Sequence, residues 1–179
     1  MSVASSSSVF LRAGDFYFGR GEVQLRTLLG TCVSVALWHP QKRIGGLCHY
    51  LLPTRGRAEG AAQGSAGLYA DEVFGLFDLA VKKYKTEPRD YVVKLFGGGN
   101  MFPRQSDGRR CADQQCADPQ RKECALVGCH NVLAAHQLLA SGGYHIVGED
   151  VGGQGSRQIV FDLADGSLWV SHGAAMQSA

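Results

Sequence analysis

Two apolar runs facing each other across a short turn constrain this chain more than any other feature. Val33-Ser-Val-Ala-Leu-Trp38 and Ile44-Gly-Gly-Leu-Cys-His-Tyr-Leu-Leu52 flank His39-Pro40-Gln41-Lys42. β-Branched and aromatic residues suit a pleated, buried surface. Proline presets its own φ and cannot donate to a ladder, so it belongs in the turn. The segment therefore predicts a β-hairpin. With the turn at 39–42, Trp38 opposes Arg43, Ala36 opposes Gly45, Ser34 opposes Leu47 and Cys32 opposes His49. Directly opposed residues share a face with Cβ atoms about 5 Å apart. This register places Cys32 beside His49 and turns Cys48 the other way, whereas a slip of one residue would separate the pair.

Downstream, Tyr69, Val73, Leu76, Phe77, Ala80 and Tyr84 recur at three- and four-residue spacing and predict a helix over about 68–85. Pro88 ends it, because the residue before proline is excluded from helical backbone. Tyr91-Val-Val-Lys-Leu-Phe96 reads as a buried strand running into Gly97-Gly98-Gly99. A second helix is expected over about 131–140, closed by Gly142-Gly143. Residues 159–163 and 168–171 around Ala164-Asp165-Gly166 predict another hairpin. Residues 1–8 read as a flexible serine-rich tail, 9–179 as one domain, and 103–127 as a polar, cysteine-containing loop. Strands outnumber helices and arrive in hairpins. The class is α+β: a single domain with a largely antiparallel, β-sandwich-like core flanked by helices.

Composition narrows the function. A chain of 179 residues with 45% hydrophobic and 19% charged residues builds a real core in one domain. A net charge of +2 with interspersed signs gives no electrostatic case for nucleic acid. The N-terminal sequence lacks a basic segment followed by an apolar run, so no secretory signal is expected. No stretch approaches the ~20 apolar residues that span a bilayer, and no membrane insertion is expected. A cytoplasmic location follows as the expectation. Six cysteines would suggest a disulfide framework only in a small secreted domain. Two of them, Cys32 and Cys48, lie in strand-like sequence; Cys111, Cys116, Cys124 and Cys129 fall in or beside the polar loop.

A thiol beside an imidazole has a definite use. A partnering imidazolium lowers a cysteine pKa from ~8.5 into the range ~3.5–7.5, producing thiolate at neutral pH. That thiolate attacks an amide carbon, and the histidine protonates the leaving nitrogen and then activates water against the thioester. Gly30 ahead of Thr31-Cys32 allows backbone N–H groups to approach a developing oxyanion. Cysteines and histidines in apolar strands are nonetheless more often plain core residues, so spacing alone does not decide the matter.

Longer motifs do. Thr27-Leu-Leu-Gly-Thr-Cys-Val-Ser-Val-Ala-Leu-Trp-His-Pro40 and Gly45-Gly-Leu-Cys-His-Tyr-Leu-Leu-Pro53 resemble the signature of the chemoreceptor glutamine deamidases, the CheD family. Tyr69-Ala-Asp71, Gly98-Gly-Asn-Met-Phe102, Gly128 with Asn131, Glu149-Asp-Val-Gly-Gly153 and Arg157 through Asp162 follow in family order. The resemblance covers roughly 10–172. It implies a cysteine hydrolase of the toxin-deamidase kind with a Cys-His-Thr catalytic set, working without cofactor or metal. Its substrate would be glutamines on the helical cytoplasmic region of chemoreceptors, with methylesterase activity in some members, and its partner the phosphatase CheC. Cys32 and His49 take the cysteine and histidine positions. Gly30, Thr31, Gly98 and Asn100 are expected around the oxyanion and substrate cleft.

The third member does not transfer directly. The family threonine stands six residues before the cysteine, where this chain has Arg26; Thr27 lies one residue later and, in an extended strand, would face the other side. Either Thr27 serves after a local kink, or another group orients His49, or the orienter is dispensable. A replaced third member leaves a second class of function open, an adaptor that docks on receptors or CheC with little turnover. The four loop-region cysteines raise a zinc reading, but their gaps of four, seven and four residues match no common zinc knuckle. Gly97–Asn100 lacks the lysine of a phosphate loop and reads as a tight turn lining the cleft. Glu149 and Asp150, adjacent in a strand, would face opposite ways and make no acid pair. His39, His130, His136, His145 and His172 have no partner evident from sequence.

Overall fold

Every residue of the strand β4 (Val33–His39) is buried, the mark of a strand covered on both faces. Its neighbours explain this. In the computed structural model, which describes residues 7–55, 66–101 and 126–173, β4 is the centre of a five-stranded sheet. The order is β2 (Phe16–Arg20), β5 (Ile44–Cys48), β4, β6 (Val92–Gly97) and β7 (Ile146–Val151). A four-stranded sheet contains β1 (Ser7–Phe10), β3 (Val23–Leu29), β8 (Arg157–Asp162) and β9 (Leu168–His172), in that order. Only the β1–β3 and β6–β7 pairings are parallel among the described strands.

Alternation along β4 and β5 sorts side chains into two cores. Val33, Val35, Leu37, Ile44, Cys48 and Tyr50 join Val73, Phe77, Val132 and Leu139. Those last four come from the helices α1 (Ala70–Lys83) and α2 (Val127–Ser141). Ala36, Trp38, Leu47 and Phe96 instead pack with Leu25, Leu29, Ile159 and Phe161 of the other sheet. The molecule is thus a two-sheet α+β domain with both described helices over the outer face of the five-stranded sheet.

The hairpin forms with a different register from the one the sequence suggests. Ala36 pairs with Leu47 and Trp38 with Gly45, two places from expectation. His39 stays in the ladder opposite Ile44, and the turn occupies 40–43, with Arg43 in left-handed backbone at φ 50°. A two-residue shift preserves side-chain direction, because strand alternation has period two. The shift therefore moves Cys32 along the strand without changing its face. Three other boundaries differ. Ser7 and Ser8, read as tail, pair with Val23 and Gln24. α2 starts at Val127, inside the segment read as loop and four residues before the expected start. β1 and β2 have no counterpart among the expected strands, while β3 and β7 are expected only around Thr27 and Glu149-Asp150. Residues 1–6 of the tail and 103–125 of the loop, including Cys111, Cys116 and Cys124, lie outside the described residues.

Candidate active site

The two sheets meet where the chain crosses from β3 to β4. β3 alternates strictly at this end: Leu25, Thr27 and Leu29 are buried while Arg26 and Leu28 are exposed. Thr27 therefore points between the sheets with no kink, in regular pairing with Ile159. The expectation that it faces away fails because counting parity back from Cys32 crosses Leu29-Gly30-Thr31, where the chain changes sheets. Arg26 is the residue that faces outward.

From the other sheet, His49 follows β5. Its N–H donates to the Asp15 carbonyl at 3.1 Å, and its carbonyl accepts from Gly14 N–H at 2.7 Å. Its side chain, on a residue only 6% exposed, meets Thr27: Oγ1 and Nδ1 are 2.8 Å apart. The Thr27 hydroxyl also donates to the Leu11 carbonyl at 2.9 Å. A hydroxyl has one proton, so once it is given to Leu11 the oxygen can only accept from the histidine. Nδ1 must then carry the ring hydrogen, leaving Nε2 with its lone pair. Nε2 is buried and has no hydrogen-bond partner among the described residues. This atom is a base without an assigned proton donor.

Cys32 lies on the same face. Val33 and Tyr50 exchange backbone bonds of 3.1 and 3.0 Å, which extends the β4–β5 register past Ala36–Leu47. Cys32 and His49 are then diagonal neighbours, a relation corresponding to about 7–8 Å in a regular ladder. Cys32 packs against the inter-sheet core, whereas Cys48 points into the helix-side core. Burial pushes the Cys32 thiol above its ordinary 9.0; the Thr31 hydroxyl and the residue's own N–H oppose the shift. Burial likewise lowers His49 below 6.5, against the opposing Leu11 carbonyl and Asp15 charge. The depressed thiol pKa expected from an imidazolium partner is therefore not found. Both groups rest neutral, and the pair is a thiol and a base, with no preformed ion pair.

The peptide around the thiol is held from behind. Gly30, Thr31 and Cys32 each have their carbonyl engaged, by Gly99 N–H at 2.8 Å, Asn131 Nδ2 at 3.1 Å and Gly98 N–H at 2.8 Å. A Cβ on Gly97 would stand 2.2 Å from the Cys32 oxygen, and its φ is +111°, so the close approach requires glycine. Gly98 packs on Gly128 at the start of α2. Asn100 reaches the next turn, its N–H donating to Gly153 and its carbonyl accepting from Gly155. The expected cleft residues Gly30, Thr31 and Gly98 thus surround Cys32, while Asn100 braces the turn behind them.

Other candidates resolve into structural partners. His136 meets Glu149 at 3.1 Å. Asp150 takes Arg157 Nε at 2.7 Å and His172 at 2.8 Å. His39 Nδ1 accepts from Lys42 N–H at 3.3 Å. Among the described residues no group of three or more His, Cys, Asp or Glu could hold a metal ion. Sequence reasoning overlooked Leu11 as an acceptor and Asn131 as a clamp. Asn131 left a signal: it is a polar residue in the same helical stripe as Gly128, Val132 and Ala135, all buried.

Comparison with known proteins agrees with this architecture. The family model described as CheD chemotactic sensory transduction matches residues 51–172. A protein of Dechloromonas aromatica named "Probable chemoreceptor glutamine deamidase CheD 3" is 40% identical over 173 residues, covering 96% of this chain and 92% of its own. Relatives named "Probable chemoreceptor glutamine deamidase CheD" occur in Pseudomonas syringae pv. tomato and Pseudomonas fluorescens. They are 39% and 40% identical, covering 92% and 93% of this chain and 88% and 85% of their own. On these matches the chain belongs to the CheD family.

Proposed function

We propose that this protein is a glutamine deamidase of chemoreceptors, with Cys32 as nucleophile, His49 as general base and acid, and Thr27 orienting the imidazole. The observation that carries the reading is the Thr27 hydroxyl, which by donating to Leu11 leaves His49 Nε2 unprotonated on the face where Cys32 lies. His49 Nε2 takes the thiol proton as the sulfur attacks the carboxamide carbon of a protruding glutamine. The oxyanion forms against backbone N–H groups around Gly30–Cys32. The tetrahedral species collapses to a thioester as His49 returns the proton to the departing ammonia. Water, deprotonated by the same nitrogen, attacks the thioester and yields glutamate and the free thiol.

Glutamate methyl esters offer the same acyl carbon, so methylesterase activity belongs to the same proposal. CheC is the proposed regulatory partner, and action on the receptors' cytoplasmic helices places the enzyme in the cytoplasm. No described helix is long and apolar enough to cross a membrane. The adaptor reading rests on Arg26 at the threonine position; in favour of the enzyme, Thr27 presents a hydroxyl to His49. The test is incubation with a receptor cytoplasmic fragment, following glutamine-to-glutamate conversion by intact-mass spectrometry. Conversion that disappears in Cys32→Ala is the expected result; conversion that persists in it, or binding without conversion by the wild type, overturns the reading.

A further inference from the structure

Asn131 occupies a costly position. It is completely buried, and its Oδ1 has no hydrogen-bond partner among the described residues, an arrangement that proteins rarely keep without reason. Its Nδ2 spends both hydrogens on carbonyls of the two segments that carry the site: Thr31 at 3.1 Å and Leu51 at 2.7 Å. The Tyr50 hydroxyl donates to its main-chain carbonyl at 2.7 Å. One residue of α2 thus binds the peptide before Cys32 and the two residues after His49.

The direction of the Thr31 bond matters most. The Thr31 carbonyl and the Cys32 N–H belong to one peptide unit, and no described peptide is cis. In a trans peptide the two groups point opposite ways. α2 covers the helix-side core, so Asn131 draws the Thr31 oxygen toward that side. The Cys32 N–H is thereby turned toward the inter-sheet side, where Cys32 packs and Thr27 meets His49. It donates to no backbone carbonyl among the described residues. It does lie close enough to its own sulfur to resist the rise in thiol pKa.

We propose that Asn131 is the positioning residue that aims the Cys32 N–H at the oxyanion. The proposal rests on Cys32 being the nucleophile. It assigns Asn131 to stabilisation of the tetrahedral species, separately from activation of the thiol. Two reactions of the same sulfur tell these roles apart. Deamidation develops an oxyanion; alkylation by iodoacetamide displaces iodide at a methylene carbon and develops none.

The experiment compares wild type with Asn131→Ser and Asn131→Asp, neither of which can donate both bonds, using the receptor fragment and iodoacetamide. The expected result is a fall in kcat on the order of a hundredfold, with KM and the Cys32 alkylation rate near wild type. Tyr50→Phe removes the hydroxyl bond to Asn131 without touching the Thr31 carbonyl, and should lower Tm while keeping kcat. Unchanged kcat in the Asn131 variants overturns the proposal. So does a parallel fall in kcat and alkylation, or an equal loss in Tyr50→Phe.

Should the Asn131 variants not fold, the wild-type adduct with a peptide glutamine aldehyde decides. The Cys32 amide proton should move downfield on adduct formation while the Asn131 side-chain amide stays protected from exchange; failure of either overturns the assignment. If the wild type forms the adduct but never deamidates the receptor fragment, the parent reading has failed on its own.

Discussion

At Thr27 a single hydroxyl decides which nitrogen of His49 is basic, and substitution there separates orientation from packing. Thr27→Val keeps the shape and the burial but removes the proton donated to Leu11 and the oxygen that accepts from Nδ1. The imidazole can then rotate or change tautomer, and kcat for receptor deamidation should fall roughly ten- to hundredfold, the usual effect of losing an orienting partner. Thr27→Ser restores the hydroxyl and should recover most of it, while Arg26→Ala, on the exposed side, should change little. A Thr27→Val enzyme with wild-type kcat would remove Thr27 from the mechanism. The pH profile follows from the same neutral pair. His49 below 6.5 and Cys32 above 9.0 give kcat/KM a broad plateau between them. Alkylation of Cys32 by iodoacetamide should climb about tenfold per pH unit from neutral pH and level off only above 9.0; a rate already maximal at neutral pH would show a resident thiolate and contradict the burial argument. The candidate pair Cys32 and His49 is legible because its motifs are linear text. The facing of Thr27 is not, since alternation is a property of one strand, and the four residues between Thr27 and Cys32 include a change of sheet.

The Gly97–Gly99 turn and α2 meet in direct backbone contact. A Cβ on Gly128 would lie 2.4 Å from the Gly98 carbonyl oxygen, a backbone atom with no rotamer to yield. Gly128→Ala must therefore push α2 off the turn, at a cost of about 1–3 kcal/mol, or a Tm drop of very roughly 3–10 °C for a chain of this size. Gly75 in α1 provides the opposite sign. Nothing lies within 4 Å of its added Cβ, and alanine in a helix interior gains about 0.5–1 kcal/mol over glycine. Calorimetry should show Gly75→Ala raising Tm and Gly128→Ala lowering it. Equal effects would mean that the turn–helix contact does not constrain either element. The strong elements were legible for the same reason that they are stable. Val73, Phe77 and Ala80 repeat with helical period and are buried, and the β4–β5 alternation survives even the two-residue slip in register. The weak strands are less legible. β1 is wholly exposed and β7 is edge-like, with Gly148-Glu149-Asp150 in its middle, so their pairing comes from neighbours distant in sequence and leaves little local pattern.

On the scale of the whole molecule, the site and the fold compete over one proton. His49 sits between the sheets, and its acidity is shifted by the burial that closes them. The unfolded chain, with His49 at its ordinary value, takes up a proton first as pH falls; the folded chain must be forced to do so. Stability from this group is thus complete above about 6.5 and is lost as pH falls through the lower folded value, with a slope of at most about 1.4 kcal/mol per pH unit. Asp150 acts in a separate window. Burial raises its pKa, but bonds and charge from Arg157 and then His172 outweigh that and hold it below 3.8. Its contribution is present above 3.8 and is lost as pH falls through the depressed folded value. Urea titrations of wild type at closely spaced pH values should therefore show one loss beginning near 6.5 and another beginning near 3.8. His49→Gln, which has no charge to bury, should flatten the first while leaving the second. If the first survives in His49→Gln, a different group is being discharged on folding, and a base held neutral between the sheets ceases to explain either the pH-stability curve or the plateau in activity.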